Sequence, residues 1–331
     1  MGHRAGRTRV PCSTCAVTPR IPVTVVGGYL GAGKTTLVNH LLRNAGGLRI
    51  AILVNDFGAL AIDADLIEAQ AEDLISIAGG CVCCSFGSDL MGALMKMATR
   101  VPAPEHVVIE TSGVALPGSV ARSVALIAAY SIDGVVVLAD AETVVARAAD
   151  RYMGDTITRQ LAEADLVILN KTDLVASAQL EGLRHWIAKT SPQARLIEAV
   201  RGEVPVNVMF GVGYSQAAIK STGLLASGIL RPVEDASTHY ESASFAVPQA
   251  VDAEQLARAL ANPDCGLIRA KGVLRDIDGS LKALQVVGAR FEVTAFAGQA
   301  DPGIACIALR GGMNRAAIER AAGWTNTAKP F

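Results

Sequence analysis

Along the first two thirds of the chain, short runs of β-branched and aliphatic residues alternate with longer stretches in which apolar positions return every three or four residues. The runs at 21–26, 50–54, 74–77, 106–109, 135–138, 166–169 and 195–198 predict strands. Several are apolar at every position, so both of their faces need covering, as in a parallel sheet between two helix layers. Stretches such as 35–43, stopped by Asn44-Ala45-Gly46-Gly47, and 89–98 show the helical period. Together they predict a doubly wound, mostly parallel α/β sheet.

Past residue 205 the rhythm changes. Residues 211–239 scatter Gly, Ser and Pro without a period and read as a linker. A second unit follows, with strands at 242–247, 267–271, 282–287 and 304–309, helices at 252–260 and 314–322, and a hairpin turn at Asp278-Gly279. It predicts a small α+β domain over 240–325. Residues 1–20 are basic but lack an apolar core, so they are expected to form a disordered extension and not a secretory signal. The chain is thereby divided into 1–20, 21–210, 211–239 and 240–325.

Composition narrows the partners. Lys plus Arg (30) nearly balance Asp plus Glu (31), so no field of one sign draws the chain to nucleic acid or to an anionic membrane. The most apolar runs are far shorter than the roughly 20 residues of a membrane helix. A cytoplasmic protein is expected. In a reducing compartment its seven cysteines point to thiols or metal ligands and not to a disulfide framework. Nothing in the sequence decides whether copies associate into a homo-oligomer.

Directly after the first strand, residues 28–35 read G-Y-L-G-A-G-K-T, the GxxxxGK[ST] pattern of a P-loop NTPase in its strand, loop, helix setting. Gly28, Gly31, Ala32, Gly33, Lys34, Thr35 and Thr36 are expected to cradle phosphates, with the helix N-terminus adding its positive end. Lys34 would meet the β and γ phosphates and Thr35 a Mg²⁺ ion. A glycine-rich turn without a ligand is the plainer alternative.

The strand at 166–169 runs into Asn170-Lys171-Thr172-Asp173, which matches NKxD. Asp173 can accept from N1–H and the 2-amino group of guanine, Asn170 can contact the base edge, and Lys171 can lay its stem along the ring. Adenine leaves such an acceptor unpaired, so GTP and GDP are the expected ligands. Taken alone, the four residues could be an ordinary helix cap. Glu110 ends another strand, where ligands of open α/β sheets gather, and is assigned to the Mg²⁺ shell or to the attacking water. Asp56 and Asp63 follow the second strand and are candidates for the same shell or for simple loop carboxylates. Arg122 and Arg159 are the candidate cations for the transition state.

Cys81, Cys83 and Cys84 stand behind Gly79-Gly80, a turn that lets three thiolates meet one Zn²⁺. Co²⁺ and other divalent transition metals remain alternatives, and inert buried thiols are the plainer one. Cys12 and Cys15 could make a second soft site or stand idle in the extension.

Taken together, residues 27–42, the segment beginning Val54-Asn55-Asp56-Phe57-Gly58, GGCVCC at 79–84, ETSGVALP at 110–117 and NKTD at 170–173 resemble the CobW-like GTPases, relatives of UreG and HypB. Residues 267–272 and 286–290 are similar to that family's C-terminal domain. The resemblance implies a GTPase and metallochaperone that uses Lys34, Glu110 and Asp56 for hydrolysis, binds zinc through Cys81, Cys83 and Cys84, and delivers it to a client protein. It also leaves room for a cobalt-handling protein of cobalamin synthesis or a nitrile hydratase activator-like binding module. This chain departs from many relatives in having only five isolated histidines, and Ala59 where a glutamate is common.

Overall fold

The computed structural model describes residues 20–56, 74–78, 86–211 and 239–323. Cys12, Cys15, Asp63, Cys81, Cys83 and Cys84 lie outside the described residues, as do the extension up to residue 19 and nearly all of the predicted linker.

Seven strands form one sheet: β1 (Ile21–Gly28), β2 (Ile50–Asp56), β3 (Leu74–Ala78), β4 (His106–Glu110), β5 (Tyr130–Asp140), β6 (Leu166–Asn170) and β7 (Arg195–Glu198). Their order is β3-β2-β4-β1-β5-β6-β7, with every pairing parallel. Among the described residues seven helices accompany them: α1 (Lys34–Arg43), α2 (Phe86–Ala98), α3 (Pro117–Ala125), α4 (Val144–Ala148), α5 (Gly154–Ala162), α6 (Ser177–Thr190) and α7 (Val206–Phe210). The expected doubly wound α/β class is therefore observed, because central strands apolar on both faces can be buried only between two helix layers. One core joins β1, β4 and β5 to α2, α3 and α5, while the other face packs on α1 and α7.

A second sheet, antiparallel, runs β11-β10-β9-β12-β8, with β8 (Tyr240–Ala246), β9 (Leu267–Arg275), β10 (Leu281–Val287), β11 (Arg290–Ala295) and β12 (Gly303–Leu309). Helices α8 (Ala253–Leu260) and α9 (Arg315–Ala321) cover it over their own core. The turn at Asp278-Gly279 is present, with Gly279 at φ 82°. The pattern did not foretell β11, none of whose six positions is fully buried, although Phe291 and Val293 pack partly against the core.

The second sheet also enters the core on the α1 and α7 face through Ile268, Val287 and Ile307. What fastens it is a buried charge cluster. Where β5 runs beside β1 the register slips, so Val23 faces Ile132 and Thr24 faces Gly134, leaving Asp133 as the extra residue of a bulge. The Asp133 carboxylate meets Arg269 Nη1 at 2.7 Å and Lys271 Nζ at 2.8 Å, both from β9. Arg269 is wholly buried, and its remaining nitrogens donate to Val208 O at 3.2 Å and Met209 O at 2.6 Å, carbonyls that α7 leaves open.

Thr24 Oγ1 lies 3.2 Å from Asp133 Oδ2 and 2.8 Å from His106 Nε2. With one hydrogen to give, Thr24 donates it to the carboxylate, so the His106 ring donates to Thr24. Burial drives the His106 pKa down to about 3, with Asp133 only partly opposing it. Burial pushes the Asp133 carboxyl upward, but Arg269 and Lys271 outweigh that and hold it well below the usual carboxylate range.

Among the described residues, no helix is long and apolar enough to cross a membrane.

Candidate functional site

At the carboxyl ends of the first sheet's strands, β1 passes into a loop that closes on α1. Gly31 and Gly33 take φ values of 80° and 101°, a region costly for residues with a Cβ. A Cβ on Gly33 would also collide with the Asn170 side chain. Lys34 opens α1 and is buried, with 7% of its surface exposed. Ala32 is buried behind the loop, whereas Gly31 and Thr36 are exposed. Such a helix start, with N–H groups unmatched within the helix and a buried cation, favours an anion.

β4 is the sheet neighbour of β1, so its last residue, Glu110, comes to the same place. Thr35 Oγ1 donates to Glu110 Oε1 at 2.9 Å. A hydroxyl that gives its hydrogen to a carboxylate keeps its lone pairs for a cation, and the carboxylate adds the charge a cation needs. Two residues beyond Glu110, the Ser112 hydroxyl is buried with no hydrogen-bond partner among the described residues. The phosphate cradle, the Thr35–Glu110 pair and the orphan hydroxyl are residues that fit a nucleoside triphosphate with its divalent ion.

The NKxD residues stand at the end of β6. Asn170 is buried and works in two directions: Nδ2 donates to Ala32 O at 2.9 Å, and Oδ1 accepts from Gly202 N at 2.9 Å. It ties the phosphate loop to the turn after β7. Sequence reading expected Asn170 at the base edge and gave no part to the 199–202 turn. Its signal was available, because that turn leaves the carboxyl end of the next parallel strand.

Lys171 adopts φ 62°, a conformation that costs a non-glycine residue about 1–3 kcal/mol and persists only where the surroundings enforce it. Here its ammonium is 2.7 Å from Asp140 Oδ2 at the end of β5, and Thr172 bonds to Ala199 O. Asp173 is exposed in the single turn that follows. Asp140 is a second residue the motifs did not reveal.

The two candidate arginines for the transition state each pair with a carboxylate. Arg122 pairs with Glu163 at 3.5 Å and Arg159 with Asp155 at 3.7 Å. Arg147 of α4 is the one that reaches the loop: it lies 5.1 Å over the Tyr29 ring and donates to Leu30 O at 3.3 Å. Asp56 closes β2, two strands from β1. The three clustered cysteines belong to none of the described geometry. Among the described residues, no group of three His, Cys, Asp or Glu side chains is placed to hold a metal ion.

Comparison with known proteins gives the following. The profile of the family described as CobW/HypB/UreG, nucleotide-binding domain, matches residues 22–198. A "Zinc chaperone CobW" of Sinorhizobium sp. is 33% identical over 294 residues, 78% of this chain and 79% of that protein. A "Zinc-regulated GTPase metalloprotein activator 1" of Schizosaccharomyces pombe is 34% identical over 194 residues, 56% of this chain and 47% of that protein. Among solved structures, the Zn(II)-bound YjiA GTPase from E. coli aligns over 93% of this chain and all of that one, with 23% identity and a TM-score of 0.44.

Proposed function

This chain belongs to the CobW/HypB/UreG family, and from that premise we propose that it is a GTP-hydrolysing metallochaperone that holds zinc and hands it to a client protein. The observation that carries the reading is the meeting of three distant sequence segments at one helix start: Thr35 with Glu110, and Asn170 with the carbonyl of Ala32. The zinc-chaperone and GTPase names of its relatives supply the cargo and the reaction.

In this account the loop from Gly28 to Thr36 binds the phosphates through backbone N–H groups, and Lys34 neutralises their charge. Bound Mg²⁺ would offset charge developing on the phosphoryl oxygens during transfer. Glu110 orients the Thr35 hydroxyl and the attacking water. Asp173 selects guanine, while the Lys171–Asp140 pair holds the turn that presents it. Asp56, the last residue of β2, leads into the segment that would sense the third phosphate. Zinc is cargo, taken by the thiolates of Cys81, Cys83 and Cys84 between that loop and β4. Loss of the γ-phosphate would loosen the cysteine loop and release the ion, as order in such loops follows the nucleotide.

The test is elemental analysis of the purified full chain, wild type and Cys83→Ala, alongside a GTP and ATP competition assay. The reading expects stoichiometric zinc lost in the variant and strong preference for guanine. Zinc retained without Cys83, or equal competition by ATP, would refute it.

A further inference from the structure

Helix α5 carries a buried polar group that the functional reading leaves unused. Gln160 is 1% exposed. Its amide nitrogen gives both hydrogens away, to Gly113 O at 3.1 Å and to Ala115 O at 2.8 Å. Both carbonyls belong to the connection that leaves β4 immediately after Glu110. Just beyond α5, Glu163 accepts the N–H of Gly118 at 3.0 Å, in the first turn of α3. The connection is therefore held at three points from one side. From the other side the phosphate loop presses on it: a Cβ on Gly113 would come within 2.6 Å of the Leu30 side chain and 2.8 Å of its backbone nitrogen.

We infer that Gln160 is a positioning residue for hydrolysis of the γ-phosphate, fixing the peptides of the 111–116 connection so that their N–H groups and not their carbonyls face the triphosphate. This rests on the GTPase reading above. A trans peptide sets its N–H opposite its C=O. Fixing the carbonyls of Gly113 and Ala115 on α5 thus directs the N–H groups of Val114 and Leu116 away from it. A neutral amide suits the task, since it supplies two donors in a dry site without burying a charge. Were either peptide to turn over, a carbonyl dipole would oppose the charge that develops on the phosphoryl oxygens. GDP has no γ-phosphate, so its binding does not depend on the arrangement.

The experiment compares the full-length wild type with Gln160→Met, which keeps the bulk and loses the donors, and with Gln160→Glu, which sets an acceptor against two acceptors. Asp155→Ala, on the exposed side of the same helix, serves as the folded control. Single-turnover GTP hydrolysis, KM, GDP affinity and hydrogen exchange over residues 111–118 are measured for each. The inference expects kcat to fall at least about tenfold in both Gln160 variants, a geometric effect, with KM and GDP affinity within about twofold. Unchanged kcat overturns it. So does a parallel loss of kcat, KM and GDP affinity, the mark of a mere structural tether.

A wild type that hydrolyses no GTP would defeat the GTPase reading instead. The exchange data then decide: slower exchange over 111–118 with a GTP analogue than with GDP, abolished in Gln160→Met, supports positioning. A difference that persists in the variant, or is absent in the wild type, overturns it.

Discussion

The two ends of the parallel sheet spend buried polar groups in opposite ways. At the carboxyl end, Thr35 bonds to Glu110, Asn170 to the carbonyl of Ala32 and Lys171 to Asp140, around the helix start that the proposed reading gives to the nucleotide. In the amino-terminal half of the same strands, Thr24, His106 and Asp133 close on Arg269 and Lys271 of the second sheet. In the proposed reading the first set serves a ligand, while the second joins one sheet to the other. Burial alone therefore does not mark a functional site; what separates the two is where each set sits on the sheet, at the carboxyl ends of the strands or against the second sheet. The second sheet belongs to the same folded body as the nucleotide unit, and its attachment is electrostatic at the centre and apolar around it.

The comparison breaks most readily at Arg269. Replacing it with Met strands Asp133 beside Lys271 alone and opens the carbonyls of α7, and breaking a buried pair in this way costs about 3–5 kcal/mol. Denaturant unfolding should show that loss, and the variant, where folded, should bind GDP as the wild type does. A loss below 1 kcal/mol would show that the cluster does not fasten the sheets.

Lys34→Ala should do the reverse. A charge-assisted contact of about 1.5–3 kcal/mol predicts roughly tenfold to hundredfold weaker nucleotide binding, read by a fluorescent GDP titration, with an unfolding midpoint close to wild type. Weak binding caused by unfolding would blur the two ends.

Acid should act on the attachment through His106. The His106 ring takes a proton near pH 6.5 in the unfolded chain but only near 3 in the fold, so the unfolded state binds more protons between these values and stability falls as pH drops below 6.5. From pH 7.5 to 5.0 the loss from this group is about 2 kcal/mol by linkage. Asp133, held low, adds to the decline only at more acidic pH, as it loses its charge. His106→Gln should flatten the profile of unfolding free energy against pH between 5 and 7, and an unchanged slope would acquit His106.

The smallest effect is expected at Asp140→Asn. This removes the carboxylate that holds Lys171, a half-buried pair worth about 1 kcal/mol, and should weaken GDP binding roughly fivefold without touching stability.

How far the sequence announced each end follows from the same difference. The loop after β1 was legible because one meant to wrap phosphates with backbone N–H groups needs glycines and a lysine at fixed spacing, and Gly31 and Gly33 do take positive φ there. Glu110 was legible as the polar end of an apolar strand. Its contact with Thr35, 75 positions away, required the strand order. Asn170 was found, but its tie to Gly202 was not, since a turn carries no motif of its own. The attachment left no local trace. Asp133 interrupts an apolar run, which is why β5 was expected to begin at 135 and in fact begins at Tyr130. Its partner Arg269 lies 136 residues away in a strand of another sheet, and no periodicity links them.

The central claim, that a guanine nucleotide governs a metal held by neighbouring cysteines, is tested most directly by titrating zinc into the full chain loaded with GDP and, separately, with a non-hydrolysable GTP analogue. Because linkage is reciprocal, the account predicts tighter zinc binding in the triphosphate form, matched by tighter binding of the analogue when zinc is present. Equal zinc affinity in the two forms would contradict it.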